Sequence, residues 1–440
     1  MRVRIEGGLV VTMDHAGTVI DGGVVEIEGD RIVAVGTEPS AAADETISAD
    51  GFIVVPGLVN THCHLSQQLA RGLADDVDLL TWLHNRIWPY EAALSEDDVE
   101  ASALACALEQ IRNGVTTIAD PGGQHVDGAA RALERAGIGG FLGRSTMDEW
   151  EGVPEARRES TEEALAIQDE AAERWNGAAQ GRLRFSYTLR TIFNCSDELI
   201  EASAERARSL RTPLQMHIAE IPAENEHVQA TRGTTTVRHL ARLGVLGPWF
   251  LGAHAVWVDD EEIQLLSEAS AAVSHNLASN LKVLGLPRVA DMLDAGVVVG
   301  LGTDGAPANN RMSLVDELWA ASLLQKGLRL DPTVLDASTA FAMATRDGAR
   351  ALGLAHEIGS LEAGKAADLI LVDPRTANMV PAHDPVSALV TSMKTENIHS
   401  VMCAGRWLLR DRQVVAFDEG EVLAEAAERA RSIATRAFVR

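Results

Sequence analysis

The chain has 440 residues, with 38 Lys+Arg against 64 Asp+Glu, a formal net charge of −26, 46% hydrophobic and 23% charged residues. Such acidity excludes nucleic acid or an anionic membrane as partner in the absence of a local basic patch, and the composition excludes a disordered chain. The length predicts one large core with a smaller appended unit. Cys63, Cys106, Cys195 and Cys403 are widely spaced without a CxxC pair, and the N-terminus lacks the apolar run of a signal peptide, so a cytoplasmic protein with reduced thiols is expected.

Residues 1–55 read as short strands, Gly8–Thr12, Gly23–Glu28 and Arg31–Val35, separated by Asp-Gly and Gly-Asp turns. From Pro56 apolar β-branched runs alternate with helical stretches. The predicted strands are Gly57–Thr61, Val115–Asp120, Gly139–Ser145, Leu183–Leu189, Leu214–His217, Phe250–His254, Ala271–His275 and Val297–Thr303. The predicted helices include Glu96–Arg112, with Ser95 and Asp98 as a capping box, then Asp197–Leu210, Thr235–Leu243, Asp260–Glu268 and Arg288–Ala295. Strand texture returns at Gly359–Leu361, Ala367–Val372 and His399–Cys403, before a final helix over Glu421–Ala437. This alternation predicts a (β/α)₈ TIM-like barrel over 56–354. Residues 1–55 and 355–440 are expected to combine in a small β-sandwich domain. A doubly wound sheet would carry a glycine-rich turn after its first strand, and none follows Thr61.

His62 and His64 close the first predicted barrel strand, two residues apart and therefore on one side of it. His217, His254, His275 and Asp304 stand at the ends of later strands, where barrel active sites form. His62, His64, His217 and Asp304 offer a divalent metal three nitrogens and one oxygen with room for water, an open set that suits Zn²⁺, with Fe²⁺ as the alternative. Spacing alone equally allows His254 as a fourth histidine ligand. A divalent ion lowers the pKa of a ligated water to about 7, so hydrolysis is the expected reaction class. Glu220, three residues beyond His217, is placed to pass a proton to a ring nitrogen; a solvated loop glutamate fits the same spacing. No lysine precedes Lys282, so a carbamate-bridged metal pair is excluded and a single metal is expected.

Across nearly its whole length the chain resembles the amidohydrolase superfamily, within it the mononuclear aminohydrolases that deaminate S-adenosylhomocysteine and 5′-methylthioadenosine, with triazine hydrolases close by. The resemblance is carried by Pro56–His64, His217–Glu220, Gly252–His254, Ser274–Lys282, Leu301–Gly305 and Gly359–Asp368. It implies His62, His64, His217 and Asp304 as metal ligands and Glu220 as proton shuttle, with His254 and Asp304 orienting and deprotonating the water. The implied substrate is a small heterocycle bearing an exocyclic amine, most simply an adenosine-type nucleoside, with ammonia as product. A triazine-type chlorohydrolase or aminohydrolase, or a deaminase of an oxopurine or pterin, is the alternative. A homo-oligomer without nucleic-acid or membrane partners is expected.

For the substrate side the resemblance points to Trp82 as a cover over the nucleoside and to Glu91 as partner of the ribose hydroxyls. Arg144, with Arg157 or Arg158, matches the pair that grips the carboxylate of a homocysteine arm, which suits bidentate guanidinium geometry. Two positions depart from the pattern. Arg190 stands where a histidine contacts the purine, and Ala308 replaces a serine after the last strand. Arginine cannot accept a hydrogen bond, so Arg190 favours a ring acceptor or an oxo-substituted ring.

Overall fold

The computed structural model describes residues 1–438. Eight parallel strands pair in chain order: β1 (Leu58–Asn60), β2 (Val115–Ala119), β3 (Gly139–Gly143), β4 (Leu183–Leu189), β5 (Leu214–Ile218), β6 (Phe250–His254), β7 (Ala272–His275) and β8 (Val298–Leu301). The Thr61 N–H donates to Leu301 O at 2.9 Å, and the Thr303 and Asp304 N–H groups donate to His62 O at 3.0 and 2.9 Å, joining β8 to β1. Both faces of these strands are covered, so they are buried along nearly their whole length even where, as in Leu214–Ile218, polar residues alternate with apolar ones.

Parallel neighbours require long crossovers, and helices supply them. Glu96–Arg112 starts with the Ser95–Asp98 capping box: Asp98 Oδ2 accepts the Ser95 N–H at 2.9 Å, and Ser95 Oγ accepts the Asp98 N–H at 3.3 Å. Ser160 with Glu163 and Asp259 with Glu262 repeat the device ahead of Thr161–Trp175 and Asp260–Glu268, each cap contributing about 1 kcal/mol. Helices Asp197–Leu210 and Asp260–Glu268 have the bounds their sequence predicts, and Val126–Ala136, Thr161–Trp175, Pro222–Arg232 and Leu314–Arg329 add to them.

The two chain ends form one nine-stranded mixed sheet. Ile53–Pro56 runs antiparallel to Leu369–Val372 and parallel to Arg2–Val11, so the N- and C-terminal strands share a ladder. Val3, Ile5, Val25, Ile27, Val54, Leu369 and Leu371 make a second core beneath it. Gly359–Leu361, expected as a strand, is not one: Gly359 takes φ +90° and the Leu361 N–H donates to the distant Thr12 O at 2.8 Å, with no ladder. The sheet passes straight into the barrel through Gly57, where a Cβ would lie 2.2 Å from Thr116 Oγ1. No helix among the described residues is long and apolar enough to cross a membrane. All four cysteines are unpaired and buried.

Candidate active site

The ends of β1, β5, β6 and β8 bring His62, His64, His217, His254 and Asp304 to one point, and all five are buried. His64 Nε2 lies 3.2 Å from His217 Nε2. Asp304 Oδ1 lies 3.6 Å from His62 Nε2 and 3.5 Å from His64 Nε2, and Asp304 Oδ2 lies 3.9 Å from His254 Nε2. The convergence is built into the backbone. Ala219, His254, Ala255 and Asp304 adopt φ of +49°, +73°, +46° and +60°, left-handed turns that swing the chain across the barrel mouth as soon as each strand ends. A non-glycine residue there costs on the order of 1 kcal/mol, and such strain gathers at functional sites. Gly302 permits the approach of β8, since a Cβ there would sit 2.3 Å from Asn276 Oδ1 and 2.9 Å from His62 Cβ.

Hydrogen bonds orient the rings. His217 Nδ1 is 2.7 Å from the Arg190 carbonyl, which can only accept, so Nδ1 carries the proton and Nε2 turns a lone pair inward. His254 Nδ1 donates to Asn280 Oδ1 at 2.8 Å, leaving Nε2 to face Asp304 and, at 3.7 Å, Glu220 Oε1. Asp304 accepts from Ser279 Oγ at 2.5 Å and from the Gly305 N–H at 2.7 Å.

This donor set fits a divalent metal. His62 Nε2 is buried with no hydrogen-bond partner, which would cost about 1–3 kcal/mol were no other atom to engage it. Two groups sharing that residue, His62–His217–His254 and His62–His64–Asp304, each hold their donor atoms within 4.8 Å of one another. His275 belongs to neither group, and both of its ring nitrogens are buried without a partner. Adding Zn²⁺ to chelator-treated protein is expected to raise the melting temperature. A metal that binds only the folded state stabilises it by about 4 kcal/mol at a thousandfold excess over Kd. Thermal melts with and without Zn²⁺ check this, and coincident curves would refute the site.

The electrostatics separate the groups by role. Burial lowers His64 and His217 well below the ordinary imidazole range and His254 to about 4, so the rings are neutral, as metal ligands and proton acceptors require. Burial works against ionisation of Asp304, but the His62 ring, 3.6 Å from its Oδ1, with His254 and His64 beside it, outweighs this and holds the carboxyl well below its ordinary value. Glu220 goes the other way. Burial, then repulsion from Glu224 and Asp304, raise it well above the carboxylate range. Two carboxyl groups on one cavity are thereby shifted in opposite directions, Asp304 down and Glu220 up.

Trp82, Arg190, Glu220 and Ala308 line the cavity with His64, His217, His254 and Asp304. Arg190 is 3% exposed, and one residue does two jobs: its carbonyl orients His217 while its Nη1 reaches Glu91 Oε1 at 3.2 Å. Glu91 lies behind the wall, paired to Arg157 and accepting from Gln67 Nε2 at 2.8 Å. Burial alone would raise its carboxyl, but Arg190 and Arg157 override this and hold it at about 2. Arg144 turns to Glu159 and to the Ser145 carbonyl. Arg158 is bonded to the Val153 carbonyl, so Arg157 is the inward member of that pair. Sequence reading did not single out Gln67, Ser279, Asn280 or Glu224. The available signal was an uncharged or acidic polar residue within a few positions of each strand-end ligand.

Comparison with known proteins agrees with this geometry. Residues 53–408 match the model of the amidohydrolase family. A 5′-deoxyadenosine deaminase of Methanosarcina mazei is 37% identical over 99% of both chains. A 5-methylthioadenosine/S-adenosylhomocysteine deaminase of Desulforamulus reducens is 33% identical over 98% of this chain and 99% of its own. The solved structure of an adenosine deaminase from Xanthomonas campestris with bound zinc superposes with a TM-score of 0.92 at 30% identity, covering 98% of each chain. With a barrel whose strand ends gather four histidines and an aspartate beside Glu220, and with matches over essentially its full length, the chain belongs to the amidohydrolase family.

Proposed function

We propose that this chain is a metal-dependent hydrolytic deaminase of adenosine-type nucleosides, exchanging the exocyclic amine for a carbonyl oxygen from water and releasing ammonia. The observation that carries the reading is one cavity lined by His64, His217, His254, Asp304 and Glu220, with His62 buried beside them and shared by both ligand-competent groups, and with the Glu220 carboxyl raised well above its ordinary value. Three imidazoles and a carboxylate suit Zn²⁺, which when bound supplies a nucleophile from water at neutral pH. His254 Nε2 and Asp304 Oδ2, 3.9 Å apart, would be the groups placed to accept a proton from the attacking water. Glu220 donates its proton to the ring nitrogen beside the amine-bearing carbon, and Asp304 returns a proton to the departing amine. Buried unpaired cysteines support a reducing compartment, the cytoplasm, as the place of action.

The cavity suits a nucleoside with an uncharged 5′ arm, since its lining includes the apolar Leu79, Trp82, Leu83, Phe193, Val283 and Leu284, while Arg144 and Arg157 are paired with Glu159 and Glu91. A carboxylate would have to displace one of those pairs. Arg190 keeps free N–H groups beside its bond to Glu91, enough to donate to a purine ring nitrogen. Ammonia release from 5′-deoxyadenosine, 5′-methylthioadenosine, S-adenosylhomocysteine, oxopurines, pterins and a chlorotriazine tests both points. The expected result is kcat/KM at least about tenfold higher for the first two than for S-adenosylhomocysteine, or about 1.4 kcal/mol. Release from none of the adenosine derivatives would end the proposal.

A further inference from the structure

The corner that carries Glu220 is held from behind by a side chain that lies outside the cavity. Glu224 is 0% exposed, on the first turn of the helix Pro222–Arg232. Its Oε1 accepts the Ala219 N–H at 2.7 Å and the Thr236 hydroxyl at 2.7 Å, and its Oε2 accepts the Glu220 N–H at 2.9 Å. The same corner is gripped on its other side, because the Ala219 carbonyl accepts the N–H groups of Val256 and Trp257 at 3.1 and 2.9 Å. Asn225, the next residue, closes the frame: its Nδ2 donates to Trp257 O at 2.9 Å and its Oδ1 accepts the Thr236 N–H at 3.1 Å.

Two features make this more than ordinary packing. Ala219 holds φ +49° without being glycine, so the turn that points Glu220 inward persists only while its neighbours enforce it. The three groups facing Glu224 include two backbone N–H groups that can only donate, so a carboxylate matches them and an amide would set its own NH₂ against one of them. A buried charge contributes little net stability, and a well-packed apolar residue would stabilise the helix start as well or better.

We propose that Glu224 is a positioning residue for the proton-donating carboxyl, fixing the strained Ala219–Glu220 corner so that Glu220 meets the substrate ring. The proposal rests on the reading of Glu220 as proton donor. Its test is a double-mutant cycle on metal-loaded enzyme with 5′-deoxyadenosine, comparing wild type, E220Q, E224A and the double variant. E224A is expected to lower kcat about 10²-fold, the scale of an ångström misplacement, with KM within about threefold and metal content unchanged. In the E220Q background it is expected to add less than about twofold, since no donor is left to aim. An equal loss in both backgrounds makes Glu224 a general structural residue and overturns the proposal, as does E224A with wild-type kcat. Should E224A not accumulate folded, E224Q takes its place in the cycle with the same two criteria and a smaller loss. Wild-type enzyme that deaminates no adenosine derivative overturns the reading of Glu220 and this proposal with it; an active wild type with an additive cycle overturns the role of Glu224 alone.

Discussion

Replacing Asp304 with asparagine is expected to lower kcat/KM by at least about 10³-fold and to deplete bound metal, while the fold and its far-ultraviolet spectrum are kept. Asparagine tolerates the left-handed backbone that Asp304 adopts at φ +60°, so the turn after β8 survives. What disappears is the charge. Asp304 Oδ1 is within 3.6 Å of His62 and His64, Oδ2 faces His254, and two donors, Ser279 Oγ and the Gly305 N–H, converge on the carboxylate. A neutral amide offers one weaker ligand oxygen, cannot store a proton, and sets an NH₂ against one of those donors. Metal analysis and steady-state kinetics of the same preparation check the claim. Turnover within tenfold of wild type would remove Asp304 from both proposed roles.

The parts of the molecule written in hydrophobic pattern were legible before the structure. β4 and β6, and the helices Glu96–Arg112, Asp197–Leu210 and Asp260–Glu268, have the limits their sequence predicts, because each is bounded by a strong local signal: a capping serine or aspartate, a glycine, or a change of period. Pro222–Arg232 was not legible. It buries only Glu224 and Val228, so it has no apolar stripe to find, and its single buried charge looks from sequence like one more solvated glutamate. Leu314–Arg329 fails for the opposite reason, since exposed Trp319, Leu323 and Leu328 blur the period of its buried face.

The same division runs through the site. Residues that end strands announced themselves, as His62, His64, His217, His254 and Asp304 did. Pairings across space did not: Glu91 and Arg190 were legible singly, but not the bonds by which Gln67 reaches Glu91 from 24 positions away and Arg190 from 99. The arginines matched to a carboxylate-gripping pair are instead neutralised within the chain, a fact that depends on Glu91 and Glu159 arriving from other segments. A net charge of −26 says nothing of this, because Glu91, Arg157 and Arg190 form a buried cluster of one anion and two cations beside the cavity.

Replacing Glu220 with glutamine is expected to lower kcat by about 10²–10⁴-fold with little change in KM. Glutamine keeps the volume and the polar tip, and the Ala219–Glu220 N–H groups remain bound to Glu224, so the corner keeps its shape. It cannot release a proton to the ring. Burial, with repulsion from Glu224 and Asp304, raises the Glu220 carboxyl well above its ordinary value, which extends the pH range over which it holds a proton. The sign of the pH dependence follows: the donor is present below the raised pKa and lost as pH climbs through it, giving kcat/KM a falling alkaline limb. Glutamine has nothing to titrate, so E220Q is expected to retain only the residual rate and to lose the part of that limb that Glu220 supplies. Profiles of kcat/KM against pH for wild type and E220Q decide the matter. A wild-type alkaline limb that reappears unchanged in E220Q assigns that titration to another group and leaves Glu220 without its proposed proton.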